Sequence, residues 1–453
     1  MAVRRKKRIL GIPDEFWIGF VIMIGVFLKL VYDIETGYQL SGINIGEWKS
    51  VRGAAPGSGS LGVIQYYYNH HWLPNFDPRT YSGYAAPPFY YIVSSLLMEL
   101  FHRLVGWETE FCIRLLQCAN VIYVTVGTSC GISMLSKLGV RGRKMTVSIL
   151  FLSFFPEFYI MTAIIGPDAL VFMLVMLSLN SALEWYLTRR YRDIRSLAVK
   201  LGLAVLTGYR AWFVVPAIAV LLFYGWADGR SHHVPLKTQF KHFGITASVL
   251  AWIWPLYLFI RFRLPFFYSD PVSGDWQSFR GLYSAGKRLS LTAWNLFSHF
   301  HTTGITGREY NIWIQTFKTA CFDFSFIDTS LGVVRFLAGL MLLLTVVLCI
   351  IWHIMGVKVL TGSRISVPFK VFLVSGYGSI LLFYVGCCFA RPYAETSNFR
   401  MIPELILFPL ACMGLCSRDA EEDSTFLRVI SAISSYGILV LSVLSALLFG
   451  LFS

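Results

Sequence analysis

Long apolar runs recur along this chain, and they constrain its fold more than any other feature. Residues 16–31 and 367–389 approach the roughly 20 residues that a helix needs to cross a bilayer. Lipid offers no hydrogen-bond partners to the backbone, so such runs must be helices that satisfy their own N–H and C=O groups. Only 14% of the 453 residues are charged, whereas a soluble domain has about 25%. The sequence therefore predicts an all-α integral membrane protein.

The charges indicate how the chain is oriented. The formal net charge is +14, and the basic residues cluster between the apolar runs, as expected for cytoplasmic loops. This pattern makes the lipid bilayer the expected partner and gives no support to nucleic-acid binding. Residues 4–8 are all basic, which places the N-terminus in the cytoplasm. The first apolar run lacks a small-residue cleavage site, so we read it as a retained span.

One segment, residues 87–105, decides the topology. If it crosses the membrane, the loops at 141–144 and 189–195, which are rich in basic residues, lie outside, against the usual charge rule. If it lies in the membrane interface, both loops become cytoplasmic. The segment also carries Glu99, His102 and Arg103, which suits an amphipathic interfacial helix. We therefore predict that it does not cross.

The chain then reads as one polytopic domain, residues 1–453, with about eleven transmembrane helices. The first extracytoplasmic loop covers residues 34–110 and carries the interfacial helix 87–105, and a second external segment covers 263–330. The predicted spans are residues 16–31, 111–135, 145–165, 169–187, 197–206, 212–226, 243–262, 331–352, 367–389, 401–415 and 426–452.

This topology collects many polar residues on the external face, several of them at span ends, where a charge is costly unless it has a partner or a task. Carboxylates beside basic residues at one membrane face suit a phosphorylated lipid substrate. An arginine can hold phosphate as a planar fork, and a carboxylate can take a proton from an attacking hydroxyl. The residues concerned are Asp33, Glu35, Glu47, His70, His71, Asp77, Asp168, Lys318, Asp323, Arg391, Glu395 and Arg400.

Several of these residues also have an ordinary structural interpretation. Asp33 follows the first apolar run and could be a solvated helix end. Asp168 follows Pro167, so it could simply favour the N-terminal dipole of a helix. His70 and His71 could share a metal ion, although adjacent loop histidines rarely do. Asp77 before a proline is typical of a turn.

Four stretches resemble the GT-C-type, polyprenyl-phosphate-sugar-dependent glycosyltransferases of the protein O-mannosyltransferase and aminoarabinose-transferase superfamily. Residues 73–79, followed by 84–91, resemble a bacterial "LPDFDPR … YHPPLYY" stretch in the first external loop. Residues 165–170 resemble "NNDAL", 313–322 resemble "FWLYLLKTSLF", and 398–403 resemble "DFRYILP". The order and sidedness of the four stretches agree with the family.

The resemblance implies a reaction and a set of site residues. A sugar on a polyprenyl phosphate is attacked by an acceptor hydroxyl, a first-loop carboxylate acts as base, and phosphate leaves toward cationic groups. Asp33 is the preferred base, Glu47 the second choice, and Asp168 orients the acceptor. The residues expected to contact the substrates are Arg400, Lys318, Tyr84, Pro87, Pro88 and Asn44.

The chain departs from the family pattern at four positions. Asn44 stands where the family has its early acid, and it cannot act as a base. Ala86 and Ser60 replace histidines, and Asn398 replaces the acid before the last motif. A catalytically silent relative that binds lipid or a partner is therefore the main alternative, and a transporter or flippase is a further one.

The expected partners are a polyprenyl-phosphate-linked sugar and a glycan, lipid or protein acceptor. A divalent cation is allowed, but no cysteine or histidine spacing requires a metal. The resemblance favours a bacterial plasma membrane over the endoplasmic reticulum, with an extracytoplasmic active site.

Overall fold

The described part of the chain is almost wholly helical. The computed structural model describes residues 8–9, 12–40, 48, 57–231, 233–266, 268, 282–290, 296–297, 309–323, 327, 331–362, 365–423 and 425–451. Near the N-terminus two short strands, Arg8–Ile9 and Ile12–Pro13, pair antiparallel.

The first half of the described chain is built of ten α-helices. They are α1 Asp14–Leu40, α2 Gly59–His70, α3 Phe89–Met98, α4 Thr109–Leu138, α5 Arg143–Phe154, α6 Pro156–Ala163, α7 Asp168–Thr188, α8 Tyr191–Thr207, α9 Val215–Ala227 and α10 Leu236–Phe262. A 3₁₀ helix precedes α3 at Pro78–Thr80, a π-helical stretch extends α3 at Glu99–Leu104, and a second 3₁₀ helix, Tyr209–Val214, joins α8 to α9.

Six further α-helices follow. They are α11 Ala285–Leu289, α12 Ile312–Cys321, α13 Gly332–Thr361, α14 Val367–Ala390, α15 Leu407–Asp423 and α16 Thr425–Leu451. Three short 3₁₀ helices, Ala394–Ser397, Phe399–Met401 and Pro403–Ile406, connect α14 to α15.

Nine segments of the described chain are long and apolar enough to cross a bilayer. The protein is thus an all-helical, multi-pass membrane protein, as predicted. Two of the predicted crossings are shorter than the other nine: α8 has 17 residues, and Pro403–Cys416 is a shorter apolar helical segment. The total of eleven crossings requires both to span, and it stays a prediction.

A break in one span explains an intramembrane lysine. Pro156 has no N–H to continue the helix, and Phe155 is extended, so the span divides into α5 and α6. The freed carbonyl of Ser153 accepts a hydrogen bond of 2.5 Å from Nζ of Lys29 in α1. Lys29 is buried, and this contact satisfies a backbone group that lipid could not. The break therefore fixes α1 against α5 and begins a new helix, α6, inside the bundle.

The packing brings several helix ends together at one end of the bundle. Helix α7 packs between α4 and α8, α14 packs on α9, and α13 packs on α15 and α16. The segment between α14 and α15 contacts both α12 and the start of α7. The beginning of α7, the α8–α9 turn and the approach to α15 therefore meet in one place, which we call the polar end of the bundle.

The predicted topology can be tested by accessibility. Ser58 and Arg141 are both exposed, and the basic-loop pattern places Arg141 in the cytoplasm and Ser58 outside. We expect Ser58→Cys and Arg141→Cys, each in a background without other accessible cysteines, to react with a membrane-impermeant thiol reagent from opposite sides of sealed vesicles. Labelling from the same side would show that residues 87–105 cross the membrane.

Candidate functional site

An ion-pair cluster lies at the polar end of the bundle. Asp168, the first residue of α7, faces two arginines. Its Oδ2 lies 3.3 Å from Nε of Arg400, and its Oδ1 lies 3.5 Å from an Nη of Arg210. Both guanidinium groups are buried, whereas the Asp168 side chain keeps 23% of its surface exposed. The cluster is thus buried on its cationic side and reachable at its carboxylate.

Arg210 holds the cluster together through the backbone. It begins the α8–α9 connection, and it donates to the carbonyl of Asp168 at 2.6 Å and to the carbonyl of Arg400. One side chain therefore ties the start of α7 to the turn Phe399–Met401. Charge-assisted hydrogen bonds of this kind are stronger than neutral ones. We interpret Arg210 as a positioning residue that keeps Arg400 beside Asp168.

Two more carboxylates surround the pair. Glu157, in the first turn of α6, has no exposed surface, and neither side-chain oxygen has a hydrogen-bond partner within the described residues. It interacts electrostatically first with Asp323 and then with Arg400, Asp168 and Arg210. Glu404 is also buried and lies within electrostatic range of Arg210 and Asp168. A buried carboxylate without hydrogen bonds is costly, so Glu157 calls for a functional explanation.

Asn398 shows how one departure from the family pattern fits this structure. Its side-chain amide donates to Oδ1 of Asp323, which is fully buried, at 2.5 Å. Its side-chain oxygen accepts from the backbone N–H of Arg400 at 2.7 Å. An aspartate at 398 would set two carboxylates against each other, because a carboxylate cannot donate. At position 398, where the family has an acid, this chain has an amide that donates to a nearby acid, Asp323.

Lys318 lies next to the turn that carries Arg400. Its neighbour Thr319 accepts a hydrogen bond from the backbone N–H of Phe399 at 2.8 Å, which docks α12 on that turn. Lys318 is buried. Burial lowers the pKa of Lys318, and the nearby Glu309 carboxylate opposes the shift. The side chain is therefore a second basic group on the element that packs against the cluster.

Asp33 lies deeper than the sequence indicated. It was expected beyond the end of the first span, but helix α1 continues past it and breaks only at Gly37, whose φ is 61°. Asp33 is 4% exposed, and its Oδ1 accepts from Thr162 of α6 at 2.9 Å. Its Oδ2 has no hydrogen-bond partner among the described residues. Asp33 is thus a buried carboxylate at the far end of α6 from Glu157, not a solvated helix end.

The first-loop candidates fall into two groups. Tyr84 is buried, and its single hydroxyl proton lies within reach of the carbonyls of Gly57 and Gly62, at 3.0 and 3.2 Å from the oxygen, so its hydroxyl links two parts of the loop. Pro87 and Pro88 are buried at the start of α3. Asn44 and Glu47 lie outside the described residues.

Helix α3 lies within electrostatic range of the cluster. It occupies the predicted interfacial segment, and its Tyr90 is buried. Burial raises the pKa of Tyr90, and the Asp168 carboxylate adds to that increase. The tyrosine therefore stays neutral. It is the residue of the first loop whose titration Asp168 affects, and we had not selected it from the sequence.

The adjacent histidines bind different partners. His70 stacks on Tyr66, whereas Nε2 of His71 lies 3.2 Å from Arg103. Within the described residues, no group of three or more histidine, cysteine, aspartate or glutamate side chains is arranged to hold a metal ion. The two histidines do not form a shared site in this structure.

Arg210 and Glu157 were missed by the sequence analysis, although both carried a signal. Arg210 is a lone basic residue between two apolar runs, and Glu157 is a lone acid inside one. Ionisable residues in such places are usually functional or paired. We treated Arg210 as part of a turn and Glu157 as part of a span, because sequence alone does not show that the two converge.

Comparison with known proteins adds no further identification. No family model matches the chain, and no curated protein matches it.

Proposed function

We propose that this protein is a glycosyltransferase with a GT-C-type fold of eleven crossings. It would transfer a sugar from a polyprenyl-phosphate donor to an acceptor hydroxyl at the extracytoplasmic face of a bacterial plasma membrane. The observation that carries the proposal is the convergence of Arg400 and Arg210 on Asp168 at the polar end of the bundle. These residues lie on the two stretches that resemble "DFRYILP" and "NNDAL" and on the turn between α8 and α9.

Arg400 would bind the donor phosphate. A guanidinium group presents a planar fork that matches two phosphate oxygens, and it keeps its charge when buried. The phosphate gains negative charge as the sugar leaves, so a fixed cation beside it stabilises the transition state more than the ground state. Lys318, on the element docked against the same turn, would supply a second positive charge.

The transfer needs one proton acceptor. The acceptor oxygen forms a bond to the anomeric carbon while the bond from that carbon to the phosphate oxygen breaks, which inverts the configuration. The hydroxyl proton passes to a carboxylate, and polyprenyl phosphate leaves. Asp168 is engaged by both arginines, which suits a role in orienting the acceptor.

Two buried carboxylates have unsatisfied oxygens and could take the proton. Glu157 interacts with Arg400, where the phosphate would lie, whereas Asp33 is bonded to Thr162 at the opposite end of α6. Inversion places the attacking hydroxyl across the anomeric carbon from the phosphate but still close to the Arg400 site, so a carboxylate in the same cluster is better placed to reach it than one at the opposite end of α6. We therefore propose Glu157 as the proton acceptor ahead of Asp33.

A catalytically silent relative is the competing proposal. Asn44 and Asn398 favour it, because each is an amide where the family has an acid. In the structure Asn398 is bonded to Asp323. A transporter finds less support, since Asp168, Arg210, Arg400, Glu157 and Glu404 gather at one end of the bundle, whereas Lys29 and Asp33 lie deeper.

The proposal can be tested with purified protein in lipid nanodiscs, labelled polyprenyl-phosphate sugars and a mixture of envelope acceptors. We expect wild type to transfer sugar from at least one donor. Glu157→Gln should retain donor binding and lose transfer, because a neutral amide cannot accept the proton. The control is Glu184→Gln, which should retain transfer. Glu184 lies near the end of α7, and its carboxylate pairs with Lys137 of α4.

The other outcomes discriminate between the alternatives. If Asp33→Asn abolishes transfer and Glu157→Gln does not, the acceptor is Asp33. If Asn44→Asp gains activity that wild type lacks with every donor, the chain is a silent relative. If neither wild type nor Asn44→Asp transfers sugar from any donor, the proposal has no support.

A further inference from the structure

A cavity lies between α13 and α14, away from the polar end of the bundle. Its volume is about 250 Å³, and its walls are mostly apolar side chains. They include Val357 and Leu360 of α13, Val374 of α14 and Phe408 at the start of α15. Both α13 and α14 are long enough to cross the bilayer, so the cavity opens at a depth where acyl chains are the surrounding solvent.

One hydrogen bond lies in the part of the cavity that is nearer to the polar cluster. The hydroxyl of Tyr377 and Nε2 of His353 are 2.6 Å apart, and this bond joins α14 to α13. From His353 to Leu360 the helix rises about 10 Å, which is the depth of the cavity below this bond. A chain lying in the cavity could hold its headgroup at the opposite end, toward the loop between α13 and α14, and we call that end the entrance.

A lysine stands at that entrance. Lys370 lies in the first turn of α14, three and seven residues before Leu373 and Tyr377, so it is on the helix face that lines the cavity. Its Nζ donates to the carbonyl of Gly362, and an ammonium group has two further donors. Basic residues at the cytoplasmic end of membrane helices attract anionic lipid headgroups.

We propose that the α13–α14 cavity binds one acyl chain of an anionic glycerophospholipid from the cytoplasmic leaflet, with Lys370 contacting the phosphate. The apolar walls accept the chain, and the lysine at the mouth selects a negative headgroup over a zwitterionic one. The α14 residues that line the cavity, 373–378, lie well before the end of that helix at Ala390, near which the Arg400 turn lies, which argues against a polyprenyl donor as its occupant. The proposal does not depend on the glycosyltransferase activity.

The chain offers a matched pair of variants for a test. Gly378 lines the cavity, and a Cβ atom built there meets nothing within 4 Å. Gly378→Leu should therefore fill the cavity without a backbone clash. Gly386, on the same helix and outside the cavity lining, also has open space around a new Cβ. Gly386→Leu makes the same chemical change without filling the cavity.

The experiment is photocrosslinking in nanodiscs with phosphatidylglycerol that carries a diazirine on one acyl chain. We expect labelling of peptides that contain residues 352–378, competition by unlabelled phosphatidylglycerol but not by phosphatidylcholine, and severalfold less labelling in Gly378→Leu and Lys370→Gln. Gly386→Leu should label like wild type. Equal labelling by a diazirine phosphatidylcholine, preferential labelling by a diazirine polyprenyl phosphate, or unchanged labelling in Gly378→Leu would each overturn the proposal.

Discussion

Arg400→Ala is expected to reduce sugar transfer more than tenfold while the protein remains folded. The proposed role of Arg400 is to stabilise charge that grows on the leaving phosphate, and one such contact is worth about 3–4 kcal/mol. Arg400→Lys should recover only part of the rate, because a lysine keeps the charge but loses the planar fork. The measurement is kcat with a labelled donor, together with donor binding by the same variants.

The control is an arginine away from the cluster. Arg335 lies in the first turns of α13 and is exposed, so Arg335→Ala makes the same truncation without touching the pair with Asp168. We expect it to transfer at the wild-type rate. If Arg400→Ala were fully active, Arg400 would not contact the phosphate, and the proposed site would lose the residue on which it most depends.

The sequence predicted much of the architecture because bilayer physics leaves few options. Runs such as residues 367–389 correspond closely to α14, Val367–Ala390, since length and apolarity alone specify a crossing helix. The segment at residues 87–105 is likewise helical, as α3 and its π-helical extension.

The ends of helices were harder to predict, because tertiary contacts set them. Asp33 appeared to follow the first span, since an acid normally ends an apolar run. In the structure α1 continues past it, and Thr162 of α6 donates a hydrogen bond to its buried carboxylate at 2.9 Å. Lys29 is a similar case, since its partner is a carbonyl freed where α5 ends, 124 residues later in the sequence.

The candidate site was predicted only in part, because contacts between distant helices bring its residues together. Asp168 and Arg400 were placed on the same membrane face, and the structure brings them to 3.3 Å. Arg210 and Glu157 could not be joined to them from spacing, because the contacts link α6, α7, the α8–α9 turn and the approach to α15. A motif marks a residue, whereas only packing shows which distant residues share its environment.

The role of Asp168 can be separated from an ordinary helix-end effect by a stability measurement. An acid in the first turn of a helix gains about 0.3–1 kcal/mol from the helix dipole. An acid that neutralises two buried guanidinium groups is worth more, because removing one partner of a buried pair costs roughly 3–5 kcal/mol. The nearby Glu157 and Glu404 remain in Asp168→Asn, so we expect a loss toward the lower end of that range.

Asp193 provides the matched comparison, since it lies in the first turn of α8 and accepts a hydrogen bond from Thr188 rather than from buried arginines. We expect Asp168→Asn to lower the thermal unfolding temperature clearly more than Asp193→Asn. Both are measured at one heating rate, because unfolding of such proteins is often irreversible.

The double variant Asp168→Asn with Arg400→Gln should lose less stability than the sum of the two single losses, because each single change leaves the other partner without its counter-charge. Equal losses for Asp168→Asn and Asp193→Asn would mean that the dipole alone accounts for Asp168, and that the arginines at 3.3 and 3.5 Å contribute little to holding the polar end of the bundle together.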